Sequence, residues 1–483
     1  MNTAFRATLV KEFKEVRRDG RLLACILIVF ALVAAAGAAG WQHGRDLERQ
    51  RLAATQAERA RWLGQGENNP HNAAHYGVYV FRPLSALATL DPGIVDFVGQ
   101  SVWLEAHRQN ESVYRPAQDT TAVQRFAPLT AAMALQLFGP LLIILLGFNA
   151  VAGEREQGTL RQVLSQGADL RGWVLGKAAL LLAAALVVLT PAGIVSAFAG
   201  DDGLPFLWSR ALPYAAVYFL YLAIFAGLTL AVSARTESAR TSLAILLSLW
   251  AFSCILAPRA VASIAESLYP LPAANEWRAA LRADLKAGHL SEQTIKADLM
   301  RRHGVDQVED LPVNWRGILI QRNEEGSNEV FDRHFGRIFD QIRRQDEVYQ
   351  WGALISPLLA LQTLSMALAG TDFEHHRDFV RAAEDHRRRI QWILNEDLSR
   401  HLEKDWGEYQ AGPELWGRIP EFRYEPSPFR DLAGRYRTAA FLLLAWSVGC
   451  AVWGARIVRR LAPSITDFVW KKEESDVDRP VEA

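Results

Sequence analysis

The chain is poor in cysteine and has no excess of either charge. Only three of its 483 residues are cysteine, and Cys25, Cys254 and Cys450 all lie inside uncharged apolar runs. This excludes a disulfide-stapled secreted domain and a cysteine metal cluster. The 53 Lys and Arg residues balance 53 Asp and Glu residues, so the net charge gives no argument for a nucleic-acid partner.

A nucleotide-binding loop is also missing. The nearest string, Gly172-Trp-Val-Leu-Gly-Lys177, has one residue too few between its glycines and no Ser or Thr after the lysine. A phosphate cradle needs a loop between a strand and a helix in water, whereas this string begins an apolar run. We therefore expect the chain to hydrolyse no ATP by itself and predict no cofactor in it. ATP and Mg²⁺, if used, would be bound by another polypeptide.

Catalytic and metal-binding patterns do not stand out either. Glu374, His375 and His376 are consecutive, and adjacent histidines of one helix point about 100° apart, so they cannot bind one ion together. The spacing His-Glu-x-x-His does not occur. We predict a solvated helix face at these residues, no metal site and no catalytic residues, so the chain is not expected to be an enzyme.

Long apolar runs alternate with charged blocks. A bilayer core of ~30 Å needs about 20 apolar residues in a helix, and the spans predicted on this basis are residues 22–42, 126–152, 172–200, 211–234, 241–258 and 438–455. None contains an acidic residue or a histidine, which argues against an ion-coupled carrier. Lys177, near the end of the third span, is expected to snorkel to the interface. A substrate path would be apolar or lined by Gln136, Asn149, Ser196 and Tyr214, Tyr218 and Tyr221, although tyrosines near helix ends are more often interfacial belt residues.

Another uncharged stretch, Trp351 to Gly370, is long enough to cross a membrane but is rejected as a span. It contains Ser356-Pro357 and Gln362 and is less apolar than the six runs. An additional crossing would also move the basic residues that follow the last span to the outer side, against the positive-inside rule. We expect a buried helix of the second insertion, or a helix along the outer leaflet.

Residues 1–21 form a basic amphipathic segment. Phe5, Leu9, Phe13 and Val16 recur at helical spacing, and lysines and arginines occupy the opposite face. Such a helix lies in the plane of the membrane interface, with its apolar face in contact with lipid.

Two long polar blocks, residues 43–125 and 259–436, are predicted to form a mostly helical domain. In the first, Arg45 to Trp62 continues the first span outward as a helix, and Gly77 to Phe81 is a candidate short strand. In the second, Ser291 is expected to cap a helix that ends before Gly304. Thr371 to Glu374 has the capping-box spacing, at the start of a helix running to about Asp405.

Orientation follows from the short loops. Basic residues crowd the N-terminus, the 153–171 link, the turn from Arg235 to Arg240 and the tail at 456–483, whereas the Asp201-Asp202 loop has none. The positive-inside rule places the first group in the cytoplasm and the two polar blocks on the outer side.

The most specific motif lies between the second and third spans and reads G-E-R-E-x-G-T-L-R-x-x-L-S. Its charges exclude it from hydrocarbon, so it must lie at the membrane face. The motif closely resembles the cytoplasmic coupling segment of type 2 ABC-transporter permeases, the membrane subunits of many bacterial exporters. The matching residues are Gly153, Glu154, Arg155, Glu156, Gly158, Thr159, Leu160, Arg161 and Leu164.

That resemblance implies an all-α membrane protein with six spans, an N-terminal elbow helix and both termini on the cytoplasmic side of a bacterial inner membrane. It also implies a separate ABC ATPase dimer and a second permease copy, identical or homologous. The wording S-P-L-L-A-L-Q…A-G-T-D-F…H-H-R-x-F resembles a subgroup with a long extracytoplasmic insertion of unknown function.

The expected function is therefore that of the permease subunit of an ATP-driven exporter. Glu154, Arg155 and Glu156 would form charge pairs with the ATPase, and Gly153 and Gly158 would let the backbone turn. One alternative is a permease-like subunit that moves no solute and transmits ATP-driven motion to periplasmic partners, in a maturation or motility role. Another is a membrane-anchored enzyme, for which the sequence offers no residues.

Overall fold

The computed structural model describes residues 3–113, 115, 129–166, 169–199, 203–402, 409–427 and 433–461. The Asp201-Asp202 loop, the side chain of Leu164 and the tail from residue 462 onward lie outside this description. The strands are β1 Val78–Phe81 and β2 Ser101–Leu104. The helices are α1 Thr3–Arg18, α2 Gly20–Leu63, α3 Pro70–Tyr76, α4 Val95–Val98, α5 Ala131–Gly147, α6 Ala152–Glu156, α7 Thr159–Ser165, α8 Leu170–Ala199, α9 Gly203–Phe206, α10 Leu207–Arg235, α11 Ala239–Leu268, α12 Ala274–Gly288, α13 Glu292–His303, α14 Trp315–Trp351, α15 Pro357–Ala369, α16 Phe373–Arg400, α17 Pro413–Arg418 and α18 Arg437–Leu461.

Six helices of the described chain are long and apolar enough to cross a membrane. They are α2, α5 continued by α6, α8, α10, α11 and α18. The protein is thus an all-α multi-pass membrane protein, as predicted. Two of the six contain a π-helical turn, at Leu207–Ala211 in α10 and at Phe252–Leu256 in α11.

Helix α5 lies at the centre of the apolar bundle and contacts α2, α8 and α10. Leu135, Leu142 and Ile143 on this helix are almost completely buried. A Cβ atom on Gly147 would come within 2.8 Å of Thr229 on α10 and 2.9 Å of Leu181 on α8. The missing side chain therefore lets three helices meet closely, which is how helices associate where lipid removes the hydrophobic driving force.

The first apolar helix does not stop at the membrane surface. Helix α2 runs unbroken for 44 residues and ends at Leu63, which agrees with the predicted outward continuation. Near its end the indole of Trp62 packs edge-on against Trp416, with ring centroids 6.2 Å apart. The two polar blocks therefore share one core, and they are called the insertion domain below.

Short sequence patterns in the insertion domain correctly predicted β1 and the ends of α13 but not the cap of α16. Strand β1 forms within the predicted run and pairs antiparallel with β2, Val78 opposite Leu104. Ser291 caps α13 through its Oγ, and Gly304 ends that helix in the left-handed conformation, as predicted. The cap of α16 was assigned to the wrong residue, because the side chain of Asp372, not Thr371, accepts from the backbone N–H of His375. Helix α16 ends at Arg400, and Asp405 lies outside the described residues.

The rejected span is a short buried helix. Helix α15 has 13 residues, too few to cross a bilayer core of ~30 Å. It packs against α10 and α18, and the side chains of Leu359, Leu361 and Ser365 are fully buried. The helix is buried, as one of the two predicted placements required, but it is buried among the spans and not within the core of the insertion domain.

Candidate functional site

The segment that carries the sequence motif consists of α6, a turn and α7. Ser233 of α10 accepts hydrogen bonds from the backbone N–H groups of Val151 (3.0 Å) and Ala152 (3.1 Å), so the first turn of α6 has partners for two of its open donors. Gly158 has φ +76° and makes the turn into α7, a conformation that glycine adopts at no steric cost. Gly153 lies buried inside α6 and makes no turn, so only one of the two glycines has the role that the motif suggested.

Glu154 is the centre of an ion cluster beside this turn. Its Oε1 lies 2.8 Å from Nζ of Lys11 on α1 and 2.8 Å from Nζ of Lys177 on α8. Lys177 also donates to Glu12 of α1, and its side chain is only 2% exposed. These four residues are called the membrane-face cluster. The prediction that Lys177 snorkels to the interface was wrong, because two carboxylates hold its ammonium group inside the protein.

The carboxylates of the membrane-face cluster favour the charged form of Lys11. Burial opposes the charge of Lys11, but the hydrogen bond from its ammonium to Glu154, together with the nearby Glu12 and Glu15, raises the pKa of Lys11 above its usual value. The three elements α1, α6 and α8 are therefore joined by charge-assisted hydrogen bonds, which are stronger than neutral ones.

Two further charges of the motif, Arg155 and Glu156, reach the turn between α10 and α11. The guanidinium of Arg155 donates to the carbonyl oxygen of Ala234, 2.7 Å away, and to that of Thr236. Glu156 accepts from the backbone N–H of Ala239 at 3.1 Å. A cation thus lies at the C-terminal end of one helix and an anion at the N-terminal end of the next, where the helix dipoles favour them.

Among the remaining motif residues, Leu160 packs inside the protein, whereas others are exposed to solvent. Leu160 is buried in an apolar cluster with Trp173 and Ile457, which fixes α7 against α8 and α18. Thr159 donates to the carbonyl oxygen of Glu154 at 3.2 Å. The exposed residues of the segment are Glu156, Gln157, Arg161, Gln162, Ser165 and Gln166.

The structure gathers these parts at one end of the bundle. Helix α1 packs along α8, the 152–165 segment contacts the α10–α11 turn, and Ile457 near the end of α18 joins the apolar cluster around Leu160. These are the segments that the positive-inside rule assigned to one side of the membrane.

A large cavity lies at the other end of the bundle, below the insertion domain. It has a volume of about 2690 Å³ and is bordered by α2, α5, α11, α14 and α15. At its wall Tyr349 donates to Gln362 (2.6 Å), and Gln362 donates to Gln136 (3.3 Å). Burial, with the nearby Asp372 and Glu374, raises the pKa of the lining residue Asp346 to about 6.

The tyrosines considered for a substrate path continue this polar network inward. Gln136 donates to the hydroxyl of Tyr218 at 3.1 Å, and that hydroxyl lies 2.9 Å from Ser365 of α15. Tyr214 and Tyr221 are also buried, so an interfacial belt role does not apply to them. Of the six predicted path residues, Gln136 borders the cavity, whereas Asn149 and Ser196 do not.

The predicted solvated face at the start of α16 was wrong. Glu374, His375 and His376 are all buried, and the chain before α18 covers this turn: Arg435 pairs with Glu374, and the hydroxyl of Tyr424 donates to the carbonyl oxygen of His375. Nδ1 of His375 lies 2.9 Å from Asp372. Burial and two nearby arginines lower the pKa of His376 to about 3, so its imidazole is neutral at ordinary pH.

Comparison with known families finds a match over part of the bundle. Residues 77–203 match the family described as ABC-2 membrane transporter related, a stretch that contains α5, the motif segment and α8. The chain therefore contains an ABC-2 membrane transporter related domain, which supports an ABC-2 type permease. In addition, residues 276–425 match a domain of unknown function, DUF3526. No curated protein matches the chain.

Proposed function

We propose that the permease is the membrane subunit of an ATP-driven exporter, and that residues 153–164 receive the motion of a separate ABC ATPase dimer. The observation that carries this proposal is the set of contacts made by Glu154, Arg155 and Glu156. Through them one short segment is tied to α1, α8, α10 and α11. A displacement of that segment therefore acts on four elements of the bundle at once.

The same contacts change how the motif is expected to work. Glu154 and Arg155 point into the chain and transmit force, so they are not the main contacts with the ATPase. The docking surface in this proposal is the exposed side of the segment, with Gln157, Arg161 and Gln162. Nucleotide binding in the cytoplasm would then tilt the spans without any ATP chemistry in this chain.

Two further partners belong to the proposal. A second permease copy, identical or homologous, would complete the pathway across a bacterial inner membrane, with both termini in the cytoplasm. Lipid would contact α1, since Phe13 is 59% exposed and Val10 is 45% exposed on its outer side. Such an apolar face on a basic helix is typical of segments lying in the interface.

The test uses a charge reversal on the proposed docking surface. The tagged full-length chain is purified from its native membranes in mild detergent, and co-purifying ATPase is measured by activity and mass spectrometry. Arg161→Glu should lower the recovered ATPase severalfold, because the exposed guanidinium is replaced by an acid while the internal contacts of Glu154 and Arg155 stay intact. Lys286→Glu, an equally exposed reversal on α12, is the matched control and should leave recovery unchanged. Equal recovery with all three chains, or no ATPase with the wild type, would contradict the proposal.

A second candidate function is favoured by α15. This helix is buried among the spans and is directly connected to α14 and α16 of the insertion domain, so tilting of α10 or α18 would reach that domain. The permease would then pass ATP-driven motion to a periplasmic partner and move no solute. Inverted native-membrane vesicles separate the two: ATP-dependent accumulation of a solute in the lumen supports export. No accumulated solute, together with an ATP-dependent change in protease cleavage of the insertion domain measured on the detergent-solubilised complex, supports the mechanical role.

A further inference from the structure

Three histidines meet on the insertion domain, away from both the motif segment and the cavity. His71 and His75 are four residues apart on α3, and His107 comes from the loop after β2. Their ring centroids form a nearly equilateral triangle with sides of 4.7, 5.1 and 5.1 Å. One nitrogen from each ring lies within 4.8 Å of the other two.

The spacing of the nitrogens suits a metal ion. Nε2 of His71 and Nε2 of His75 are 3.2 Å apart. Two imidazole nitrogens bound tetrahedrally to one Zn²⁺ at ~2.0–2.1 Å lie ~3.3–3.4 Å apart. Histidines at positions i and i+4 project from the same face of a helix, which is the arrangement that helical zinc sites use.

The third histidine is held by a buried carboxylate. The backbone N–H of His107 donates to Oε1 of Glu324 at 2.7 Å, and its Nδ1 lies against the same oxygen. Because an ionised carboxylate can only accept a hydrogen bond, Nδ1 of His107 is the donor to Glu324, and Nε2 is the ring nitrogen left to bind a metal. A metal-binding histidine commonly donates its other ring N–H to a carboxylate in this way.

Glu324 is in turn fixed by the second polar block. Its Oε2 accepts from Arg387 of α16 at 3.1 Å, and Arg387 also binds Glu384 at 2.9 Å. The side chains of Glu324 and Arg387 are each 1% exposed. His107, Glu324, Glu384 and Arg387 are called the insertion-domain cluster. His107 itself has φ +61°, which no other non-glycine residue of the described chain matches in sign, and backbone strain of this kind concentrates at functional sites.

We propose that His71, His75 and His107 bind one first-row transition-metal ion of the Zn²⁺ class, with Glu324 orienting His107 from behind. Neutral imidazoles suit Zn²⁺ and Cu²⁺ and leave a fourth position for water or for a donor atom of another molecule. His75 and His107 are exposed, so that fourth position faces solvent. The ion would join the first polar block, through α3 and the loop after β2, to α14 of the second.

The experiment uses the full-length chain in detergent, without a polyhistidine tag, after removal of metal with a chelator. Titration with Zn²⁺ in a calorimeter should show one site per chain. Substitution of Co²⁺ should give the intense visible absorption of a tetrahedral nitrogen site. His75→Gln should weaken Zn²⁺ binding by at least about 100-fold. It should leave the fold intact, because the side chain is exposed. His289→Gln, which changes an exposed histidine directly after α12, is the matched control and should bind as the wild type does.

A second variant tests the role of the carboxylate. Glu324→Gln should weaken Zn²⁺ binding by about 10–100-fold, the usual effect of losing a carboxylate behind a ligating histidine, while circular dichroism reports whether the domain stays folded. If that variant unfolds, His75→Gln alone decides the question. Absence of Zn²⁺ binding by the wild type, or equal affinity for wild type and His75→Gln, would overturn the proposal. Neither result depends on the ATPase, so this test is independent of the proposed function.

Discussion

The membrane-face cluster and the insertion-domain cluster both bury charged side chains, but they differ in their cations. In the first, two lysine ammonium groups share Glu154: that of Lys177, which is enclosed and also binds Glu12, and that of Lys11, whose side chain is half exposed. In the second, Arg387 is enclosed and binds Glu384 and Glu324 with separate N–H groups. A lysine ammonium is a point charge that can change partners, whereas the planar guanidinium fixes a geometry. The first cluster therefore suits a junction that moves, and the second suits a junction that stays rigid.

The largest expected effect comes from breaking the rigid junction. Arg387→Leu leaves Glu324 buried without its arginine and leaves Glu384 with Arg388 alone, and removing one partner of a buried ion pair costs about 3–5 kcal/mol. We expect the free energy of unfolding of the insertion domain to fall by that amount, measured by pulse proteolysis of the full-length chain in detergent. Arg389→Leu changes an exposed arginine two residues along the same helix and should have little effect. Equal effects of the two variants would show that Arg387 is not the centre of the junction.

A smaller effect is expected at the membrane face. Lys177→Met removes one of the two cations around Glu154, but Lys11 remains paired with that carboxylate, so we expect a loss of about 1–3 kcal/mol. Adding Glu12→Gln should restore part of the loss, since it removes the carboxylate that has lost its hydrogen bond from Lys177 and keeps only Lys11, 3.5 Å away. The thermal unfolding midpoints of the wild type, both single variants and the double variant complete the cycle. Strict additivity would mean that Lys177 and Glu12 do not interact energetically.

The smallest effect tests the turn between α6 and α7. Gly158→Ala places a side chain at φ +76°, which costs about 1 kcal/mol. We expect a slightly lower unfolding midpoint and less ATPase recovered with the chain, because α7 would shift relative to Glu154. Gly193→Ala is the control, as a Cβ atom there meets nothing within 4 Å, and it should leave both quantities unchanged or slightly raise the midpoint. If Gly193→Ala lowers ATPase recovery as much as Gly158→Ala does, the turn at Gly158 has no specific role in binding the ATPase.

Structural features that depend on residues close together along the chain could be predicted from the sequence. The six spans depend on length and apolarity, and the helix at 292–303 depends on Ser291 and Gly304 at its ends. The motif at 153–164 could be recognised from its residue pattern. Its position between two predicted spans predicted a location at the membrane face. Strand β1 was visible for the same reason, as a short run of Val, Tyr and Phe.

The errors concern residues whose partners are distant in the chain. Lys177 looked like a surface lysine because Glu12, its partner, precedes it by 165 residues. His375 looked solvated because nothing in its own helix shows that the chain packs there. The spacing of His71 and His75, four residues apart, is a local signal of a metal site that can be read from the sequence. The contact of His107 with Glu324, 217 residues later, could not be inferred from spacing.

The length of helix α2 determines how far its outer end moves when the helix tilts in the membrane. Its 44 residues make a rod about 66 Å long, of which the bilayer core takes about 30 Å. The remaining part, about 36 Å long, ends near Trp62, whose indole packs edge-on against Trp416. A tilt of about 10° in the membrane would sweep that tip sideways by about 6 Å, so the rod amplifies small rotations of the bundle into large strokes beyond it.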